Sequence, residues 1–192
     1  MKLSPLFEDA LQMALAAHKN HLRKGTQIPY VSHLLAVASI VLDYGGDEDE
    51  AIAALLHDSV EDCGVDPEEI RRRCGDKEAN IVVACSDSLE KDPKKKADWR
   101  LRKEAYLREL QTAHPPVLLV SAADKLHNAR SIVKDFLEVG HKVWARFKGG
   151  REGTLWYYQS LVDTFRKRGA HRMLVDELAR TVVELQRLAS SA

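Results

Sequence analysis

The sequence predicts an all-α protein. Apolar residues recur at helical spacing through most of the 192 residues, and the sustained apolar–polar alternation that is typical of a β-strand is absent. No internal repeat is visible, and no linker is long enough to divide the chain. We therefore expect a single domain, residues 1–192, folded as a helical bundle of about eight to ten helices.

The first three helices are predicted by apolar periodicity and by local start and stop signals. The apolar residues fall within 6–17, 34–42 and 52–56. Gly45-Gly46 is expected to end the second helix, and Asp47 can cap the third. Ser32 is similarly placed to cap the second helix, which His33 then opens.

The remaining helices follow the same logic. Asp66-Pro67 reads as an N-cap followed by a proline at the first helical position, which predicts a short helix to about residue 74. Gly75-Asp76 is expected to separate this helix from the next one. Residues 86–99 turn polar and basic, so we expect a loop there. Helices are then predicted over 99–112, from Pro115 to about 139, over 151–167 after Gly149-Gly150, and over 170–190.

Composition excludes several classes of protein. The 29 basic and 29 acidic residues balance, so a nucleic acid polymer is not an expected partner, whereas a small anionic ligand needs only a local basic patch. The three cysteines form no CxxC pair and are odd in number, so we expect reduced thiols in a cytoplasmic protein. No segment has the ~20 apolar residues that would span a membrane. Composition leaves the oligomeric state open.

The run His57-Asp58-Ser59-Val60-Glu61-Asp62 follows an apolar, alanine-rich stretch. On one continuous helix, His57 would lie one turn from Glu61, and Asp58 one turn from Asp62. Burying so much charge without a cation would be costly. The run therefore indicates a divalent metal site with further carboxylates beside it for chemistry on water.

Two other clusters fit such a site. Upstream, the Arg23-Lys24 pair precedes Pro29-Tyr30 and His33, so this segment can supply one imidazole ligand and a pair of cations that bind phosphate. Downstream, Asp124, Asn128 and Ser131 fall at positions i, i+4 and i+7 and share one helix face. A carboxylate on that otherwise apolar helix needs a partner, and a metal ion is a suitable one.

Taken together, these clusters resemble the HD-domain metal hydrolases, and among them the alarmone (ppGpp) hydrolases. This group is typified by the hydrolase half of the Rel/SpoT enzymes and by the stand-alone small alarmone hydrolases. The matching text is RK before PYVSH at 23–33, AALLHDSVED at 53–62 and ADKLHNAR at 123–130. The segment LWYY at 155–158 is similar to the tyrosine-bearing segment of the same family.

The resemblance implies a single HD-type hydrolase domain and a role for each matched residue. The implied metal ligands, usually of manganese, are His33, His57, Asp58 and Asp124. Such a mixed nitrogen and oxygen set also suits iron, cobalt or zinc. Glu61 and Asp62 would position and deprotonate the water that the metal activates. The implied nucleotide contacts are Arg23, Lys24, Asn128, Ser131 and Tyr157, and the loop 91–103 could add cations.

The implied reaction removes the 3′-pyrophosphate of ppGpp or pppGpp, giving GDP or GTP and pyrophosphate. Two other functions stay open: an HD phosphatase for a different nucleotide, such as a nicotinamide dinucleotide phosphate or a deoxynucleotide, and a catalytically silent module that binds alarmone.

Some residues also have a purely structural interpretation. Arg23 and Lys24 could be a solvated helix end, Tyr157 could be core packing, and His127 is expected to pack beside the site. Five further histidines are expected on helix surfaces: His18, His21, His114, His141 and His171.

Overall fold

A buried, alanine-rich helix lies at the centre of the fold. The computed structural model describes residues 2–86 and 97–191. Every residue from 51 to 56 in helix α3 (Glu48–Leu56) is fully buried, as expected for a helix that is apolar on all sides. It packs against α1 (Pro5–Ala17), α2 (Val31–Asp43), α6 (Asp76–Cys85) and α8 (Pro115–Val139).

The other helices enclose this centre. They are α4 (Ser59–Cys63), α5 (Pro67–Cys74), α7 (Trp99–Leu110), α9 (Gly150–Arg168) and α10 (Arg172–Ser190), with a 3-10 helix at Gly140–Arg146. The long α8 contacts α2, α3, α6, α9 and α10, so it packs against helices from both the N-terminal and the C-terminal part of the chain. Across residues 2–86 and 97–191 the only β feature is an isolated bridge between Leu22 and Pro29. The all-α prediction is confirmed.

Most of the predicted helix ends are found where local signals placed them. Asp47 accepts a hydrogen bond from the Glu50 amide, and Glu50 reciprocates in a capping box. Asp66 caps α5, and α8 begins at Pro115. The predicted cap at Ser32 is wrong. Helix α2 begins at Val31, two residues before the predicted start at His33, so Ser32 lies inside the first turn, and no side chain caps this helix.

The metal-binding run is not one continuous helix. Helix α3 ends at Leu56, His57 and Asp58 form a two-residue turn, and α4 begins at Ser59. Asp58 and Asp62 keep the expected spacing of one helical turn, because the Asp62 amide still donates to the Asp58 carbonyl oxygen at 2.9 Å. The break separates the His-Asp pair from the helix that carries Glu61 and Asp62.

Two other expectations concern surfaces. His18 is only 3% exposed, so its predicted place on a helix surface is wrong. Most of the expected basic loop, including the three lysines at 94–96, lies outside the described residues. No helix in the described part of the chain is both long and apolar enough to cross a membrane.

Candidate active site

The four predicted metal ligands converge from four helical elements. His33 lies in the first turn of α2, His57 follows α3, Asp58 caps α4, and Asp124 lies near the middle of α8. His33 Nε2 is 3.5 Å from Asp58 Oδ2 and 3.2 Å from Asp124 Oδ1. His57 Nε2 is 3.0 Å and 3.7 Å from the same two oxygens. His33, His57 and Asp58 therefore form a compact group that could hold a metal ion, and Asp124 Oδ1 lies within 3.7 Å of both imidazole nitrogens.

Both imidazoles are held by their other ring nitrogen. His57 Nδ1 lies 2.8 Å from the Ala54 carbonyl oxygen, to which it donates. His33 Nδ1 shares a hydrogen bond of 2.7 Å with His127 Nδ1. Burial lowers the pKa of His127 to about 4, so this partner is neutral. The two Nε2 atoms remain buried with no hydrogen-bond partner, which is the arrangement of a histidine metal ligand.

Asp58 is an ionised carboxylate inside the protein. Its Oδ2 accepts a hydrogen bond of 2.6 Å from the Tyr30 hydroxyl. Burial alone would raise the pKa of Asp58, but the charge of His57 and polar contacts from both imidazoles hold it well below its usual range. Conversely, the carboxylates of Asp58 and Asp124 raise the pKa of His57 well above its ordinary value, against the effect of burial. A bound cation would take over the charge balance that a proton on His57 supplies.

Asp124 is fixed by two neighbours on its own helix. Its Oδ2 contacts Lys125 Nζ at 2.5 Å, and its Oδ1 accepts a hydrogen bond from Asn128 Nδ2. Burial would raise the pKa of this carboxyl, whereas Lys125 and the two imidazoles hold it well below its usual range. Asp124 therefore presents Oδ1 to the imidazoles while Lys125 neutralises its other oxygen.

This donor set fits a divalent cation. The two orphaned imidazole nitrogens and the two ionised carboxylates offer nitrogen and oxygen ligands without any sulfur. Imidazole and carboxylate together suit manganese, iron, cobalt or zinc. The chain therefore has a group that could bind a metal, and the assignment of each of the four ligands stays a prediction.

A cleft of about 740 Å³ opens beside the cation site. All seven predicted catalytic and substrate-binding residues line it: Arg23, Lys24, Glu61, Asp62, Asn128, Ser131 and Tyr157. Among the residues at 2–86 and 97–191, seven lysine or arginine side chains line the cleft against three carboxylates, so its electrostatic character favours an anionic ligand.

A hydrogen-bonded chain joins the cleft to the cation site. Arg23 Nη2 donates to Asn128 Oδ1 at 2.6 Å, and Asn128 in turn donates to Asp124. The Arg23 guanidinium also lies over the Tyr30 ring, 5.5 Å from its centroid. Lys24 Nζ lies 5.8 Å from the Phe147 ring centroid. Specific contacts therefore hold Arg23 at the cleft wall, whereas Lys24 is exposed there.

The other predicted cleft residues differ in how they are held. Ser131 donates its hydroxyl hydrogen bond to the His127 carbonyl oxygen in the preceding turn. The Tyr157 ring is 6% exposed, and its hydroxyl has no hydrogen-bond partner in the part of the chain that the structure describes. Tyr157 thus packs in the core and also lines the cleft, and its hydroxyl is buried without a partner among the described residues. Asp62 is exposed at the wall, and Glu61 Oε1 lies 3.9 Å from Arg102 Nη1.

Sequence reasoning missed three residues that belong to this region. Tyr30 and Lys125 hold the two carboxylates, while Trp99 lines the cleft. Arg102 and Lys103 also line the cleft, and both lie in the range 91–103 that was expected to add cations. For Lys125 a signal existed, because a lysine adjacent to a carboxylate on an apolar helix is expected to need a charged partner. For Tyr30 there was none, since its contact with Asp58 joins residues 28 positions apart.

The helical bundle offers nitrogen and oxygen ligands for a cation, and a cleft lined by cationic side chains lies beside them. These features define a class of protein that binds a metal ion and an anionic ligand. Comparison with known proteins identifies the family: the sequence model of the HD domain matches residues 10–155. The chain belongs to the HD domain family.

Its curated relatives carry two kinds of name. A GTP pyrophosphokinase of Streptomyces coelicolor is 36% identical over 128 residues, or 65% of this chain and 14% of that protein. The guanosine-3′,5′-bis(diphosphate) 3′-pyrophosphohydrolase MESH1 of Xenopus tropicalis is 38% identical over 135 residues, or 66% of this chain and 69% of that protein. The chain spans only about a seventh of the length of the Streptomyces protein.

Solved structures agree with this relationship. A structure described as that of a metazoan ortholog of SpoT that hydrolyzes ppGpp has a TM-score of 0.75 and 25% identity, covering 94% of this chain and 97% of that one. A crystal structure of a Listeria monocytogenes EGD-e protein has a TM-score of 0.67 and 30% identity, covering 78% of this chain and 96% of that one.

Proposed function

We propose that this protein hydrolyses the 3′-pyrophosphate of guanosine alarmones, converting ppGpp to GDP, or pppGpp to GTP, with release of pyrophosphate. The observation that carries the proposal is the cleft, in which seven cationic side chains face the acids Glu61 and Asp62 next to the four-residue cation site. A nucleotide with pyrophosphate groups at two positions carries several negative charges, so its binding site needs many cationic side chains.

The relatives support this choice of substrate. The Xenopus protein, of which the chain covers 69%, is named as a guanosine-3′,5′-bis(diphosphate) 3′-pyrophosphohydrolase. The structural neighbour with the TM-score of 0.75 is described as hydrolysing ppGpp. The relatives named GTP pyrophosphokinase are matched over only 14–17% of their length. Hydrolysis is therefore favoured over synthesis.

In this proposal His33, His57, Asp58 and Asp124 hold the divalent cation, which we propose to be Mn²⁺. A divalent cation at such a site lowers the pKa of water and stabilises negative charge on a reacting phosphate. Lys125 keeps Asp124 ionised and correctly turned, and Tyr30 does the same for Asp58. These neighbours prepare the ligands before substrate binds.

In this proposal Glu61 and Asp62 position and deprotonate the attacking water. As the water oxygen bonds to the phosphorus attached to the ribose, the bond from that phosphorus to the 3′ oxygen breaks. A carboxylate takes the proton that the water loses, and the 3′ oxygen gains a proton as pyrophosphate leaves. Asp62 is the better placed of the two for this proton transfer, because it is exposed at the cleft wall while Glu61 lies near Arg102.

Substrate binding is assigned to the other predicted residues of the cleft. Arg23 and Lys24 would meet the guanine and its phosphates, and the planar guanidinium of Arg23 suits stacking as well as phosphate contacts. Asn128, Ser131 and Tyr157 would contact the ribose and phosphates. We also place the protein in the cytoplasm, which its three free cysteines support.

The substrate is tested by incubating the protein and Mn²⁺ with ppGpp, pppGpp, a nicotinamide dinucleotide phosphate and the four deoxynucleoside triphosphates. We expect GDP and pyrophosphate from ppGpp as the fastest reaction. Rapid turnover of another nucleotide with no GDP from ppGpp would instead assign an HD phosphatase of different specificity. Binding of ppGpp without any turnover would assign a silent module.

Asp62→Asn tests the chemistry separately from binding. We expect turnover of ppGpp to fall by about 10²–10⁴-fold, the usual contribution of general acid–base catalysis, while ppGpp affinity stays within a few-fold. The matched control is Asp163→Asn, because Asp163 is an exposed carboxylate on α9 whose partner is Gln159. Equal turnover in the two variants would remove Asp62 from the reaction.

A further inference from the structure

A second cluster of metal-binding side chains lies beside the proposed active site. His18 follows the last turn of α1, His21 lies three residues further on, and Cys63 is the last residue of α4. Cys63 Sγ is 3.4 Å from His18 Nδ1 and 3.7 Å from His21 Nδ1, and the two Nδ1 atoms are 3.3 Å apart. The cluster shares no residue with the HD-domain cation site.

These separations are those of ligands around one tetrahedral ion. Zinc binds imidazole nitrogen at about 2.0–2.1 Å and thiolate sulfur at about 2.3 Å, so a tetrahedral site places its ligands roughly 3.3–3.6 Å apart. The three separations in the cluster, from 3.3 to 3.7 Å, match this spacing. A hydrogen bond alone explains less, because a thiol is a weak donor and acceptor.

The environment also suits a cation. His18 is 3% exposed, and burial lowers its pKa to about 4, so the ring is neutral and its nitrogen lone pair is available. His21 and Cys63 are partly exposed, which leaves an entry path and room for water. Two imidazoles and one thiol form a softer donor set than the all-nitrogen-and-oxygen site nearby, and such a set favours zinc or cobalt over manganese.

We propose that His18, His21 and Cys63 bind a second divalent cation of the zinc class, with water in the fourth position. Cys63 Sγ lies 3.4 Å from both nitrogens of the His18 ring, and hence over the ring rather than on the lone-pair axis of Nδ1. Binding therefore includes rotation of the thiol and the ring about their side-chain bonds. The backbone positions already bring all three donors together.

The second site connects to the first through Tyr30. The His18 and Tyr30 rings are stacked, with centroids 4.9 Å apart and an angle of 8° between planes. The Tyr30 amide donates to the His21 carbonyl oxygen at 2.9 Å, and the Tyr30 hydroxyl donates to Asp58. A cation on these ligands would therefore fix the end of α1 to α4 and brace the tyrosine that holds Asp58.

Cobalt substitution distinguishes the two sites, because only a thiolate gives an intense sulfur-to-cobalt absorption in the near ultraviolet. We expect the full-length protein to bind about two Co²⁺ per chain and to show this band. Cys63→Ser should lose the band and one Co²⁺. Cys74→Ser and Cys85→Ser, the matched controls, should retain both. Asp124→Asn should lose the other Co²⁺ and keep the band.

A second measurement follows the reactivity of the Cys63 thiol. Zn²⁺ bound at this cluster should slow the alkylation of Cys63 by iodoacetamide by at least about tenfold, since a bound thiolate is not free to react, and peptide mass spectrometry reads each cysteine separately. Asp124→Asn is compared in parallel, because it isolates the second site. No thiolate–cobalt band in the wild type, a band that persists in Cys63→Ser, or an unchanged alkylation rate would each overturn the proposal.

Discussion

Single residues outside the ligand set determine how the cation site is prepared. Asp124 is buried and Asp58 is partly buried, and each carboxylate is held by a neighbour outside the predicted ligand set: Lys125 for Asp124 and Tyr30 for Asp58. Burial raises the pKa of the Tyr30 hydroxyl far above its usual value, so it stays a hydrogen-bond donor at every working pH. Partners of this kind commonly control ligand orientation as strongly as they control charge.

Tyr30→Phe removes one hydroxyl and leaves the ring. We expect metal affinity to fall by about 10–100-fold, the usual effect of losing a partner that orients a ligand, measured by titrating metal-free protein with Mn²⁺. Tyr44→Phe is the control, because Tyr44 also donates to a carboxylate, that of Glu177, far from the cation site. Similar affinity in both variants would show that the Tyr30 contact does not position Asp58.

Lys125→Met replaces a buried cation by a side chain of similar shape. The Lys125 and Asp124 side chains are 14% and 8% exposed, and removing one partner of a buried pair costs about 3–5 kcal/mol. We expect the free energy of unfolding of the metal-free protein, measured in urea, to fall by about 3 kcal/mol.

The control for this variant is Lys77→Met. Lys77 pairs with Asp47 and Asp49 at the surface, where its side chain is 46% exposed, so its loss should cost less than about 1 kcal/mol. Equal losses for the two variants would mean that Lys125 contributes no more than a surface ion pair.

Among the helices, the shortest one carries the proposed acids. Helix α4 has five residues and begins directly after Asp58. It is closed by Gly64 in the left-handed conformation, whose amide bonds to the carbonyl oxygens of Ser59 and Val60. So short a helix cannot be stable by itself. The position of α4 must therefore be fixed by the residues at its two ends.

Gly64→Ala should therefore affect both stability and turnover. Gly64 has φ of 67°, and nothing lies within 4 Å of the Cβ that the substitution would add. The expected loss is thus conformational, about 1–2 kcal/mol. Gly169→Ala is matched to it, with φ of 64° and equally open space at the end of α9. Both should lose similar stability in urea, but only Gly64→Ala should lower kcat. Unchanged kcat would show that α4 is positioned independently of its cap.

Prediction from sequence succeeded where the signal was local. The caps at Asp47 and Asp66 depend on residues two or three positions away, and so they could be recognised. The break at His57-Asp58 could not, because both residues keep right-handed helical dihedral angles and differ little from a helix in pattern. His18 was misplaced for another reason. Its contact with Cys63 joins residues 45 positions apart and exists only in the folded protein.

Across the whole molecule, the cation site joins parts of the chain that are far apart in sequence. The four predicted ligands lie at positions 33, 57, 58 and 124, on α2, at the α3–α4 turn and on α8. The resemblance in sequence predicted this set, and the structure brings the four side chains together. Because the unfolded chain has no such arrangement, a cation bound there should stabilise only the folded state.

Metal should therefore raise the thermal stability of the wild type, and Asp124→Asn should abolish that effect. At a Mn²⁺ concentration about 100 times the dissociation constant, binding contributes roughly 2.7 kcal/mol, which thermal unfolding with Mn²⁺ and with chelator would detect. Asp135→Asn is the control on the same helix, because Asp135 pairs with Arg146 and makes no contact with the ligands. It should keep the full metal-dependent shift. A full shift in Asp124→Asn as well would mean that the cation binds without α8, and Asp124 would leave the ligand set.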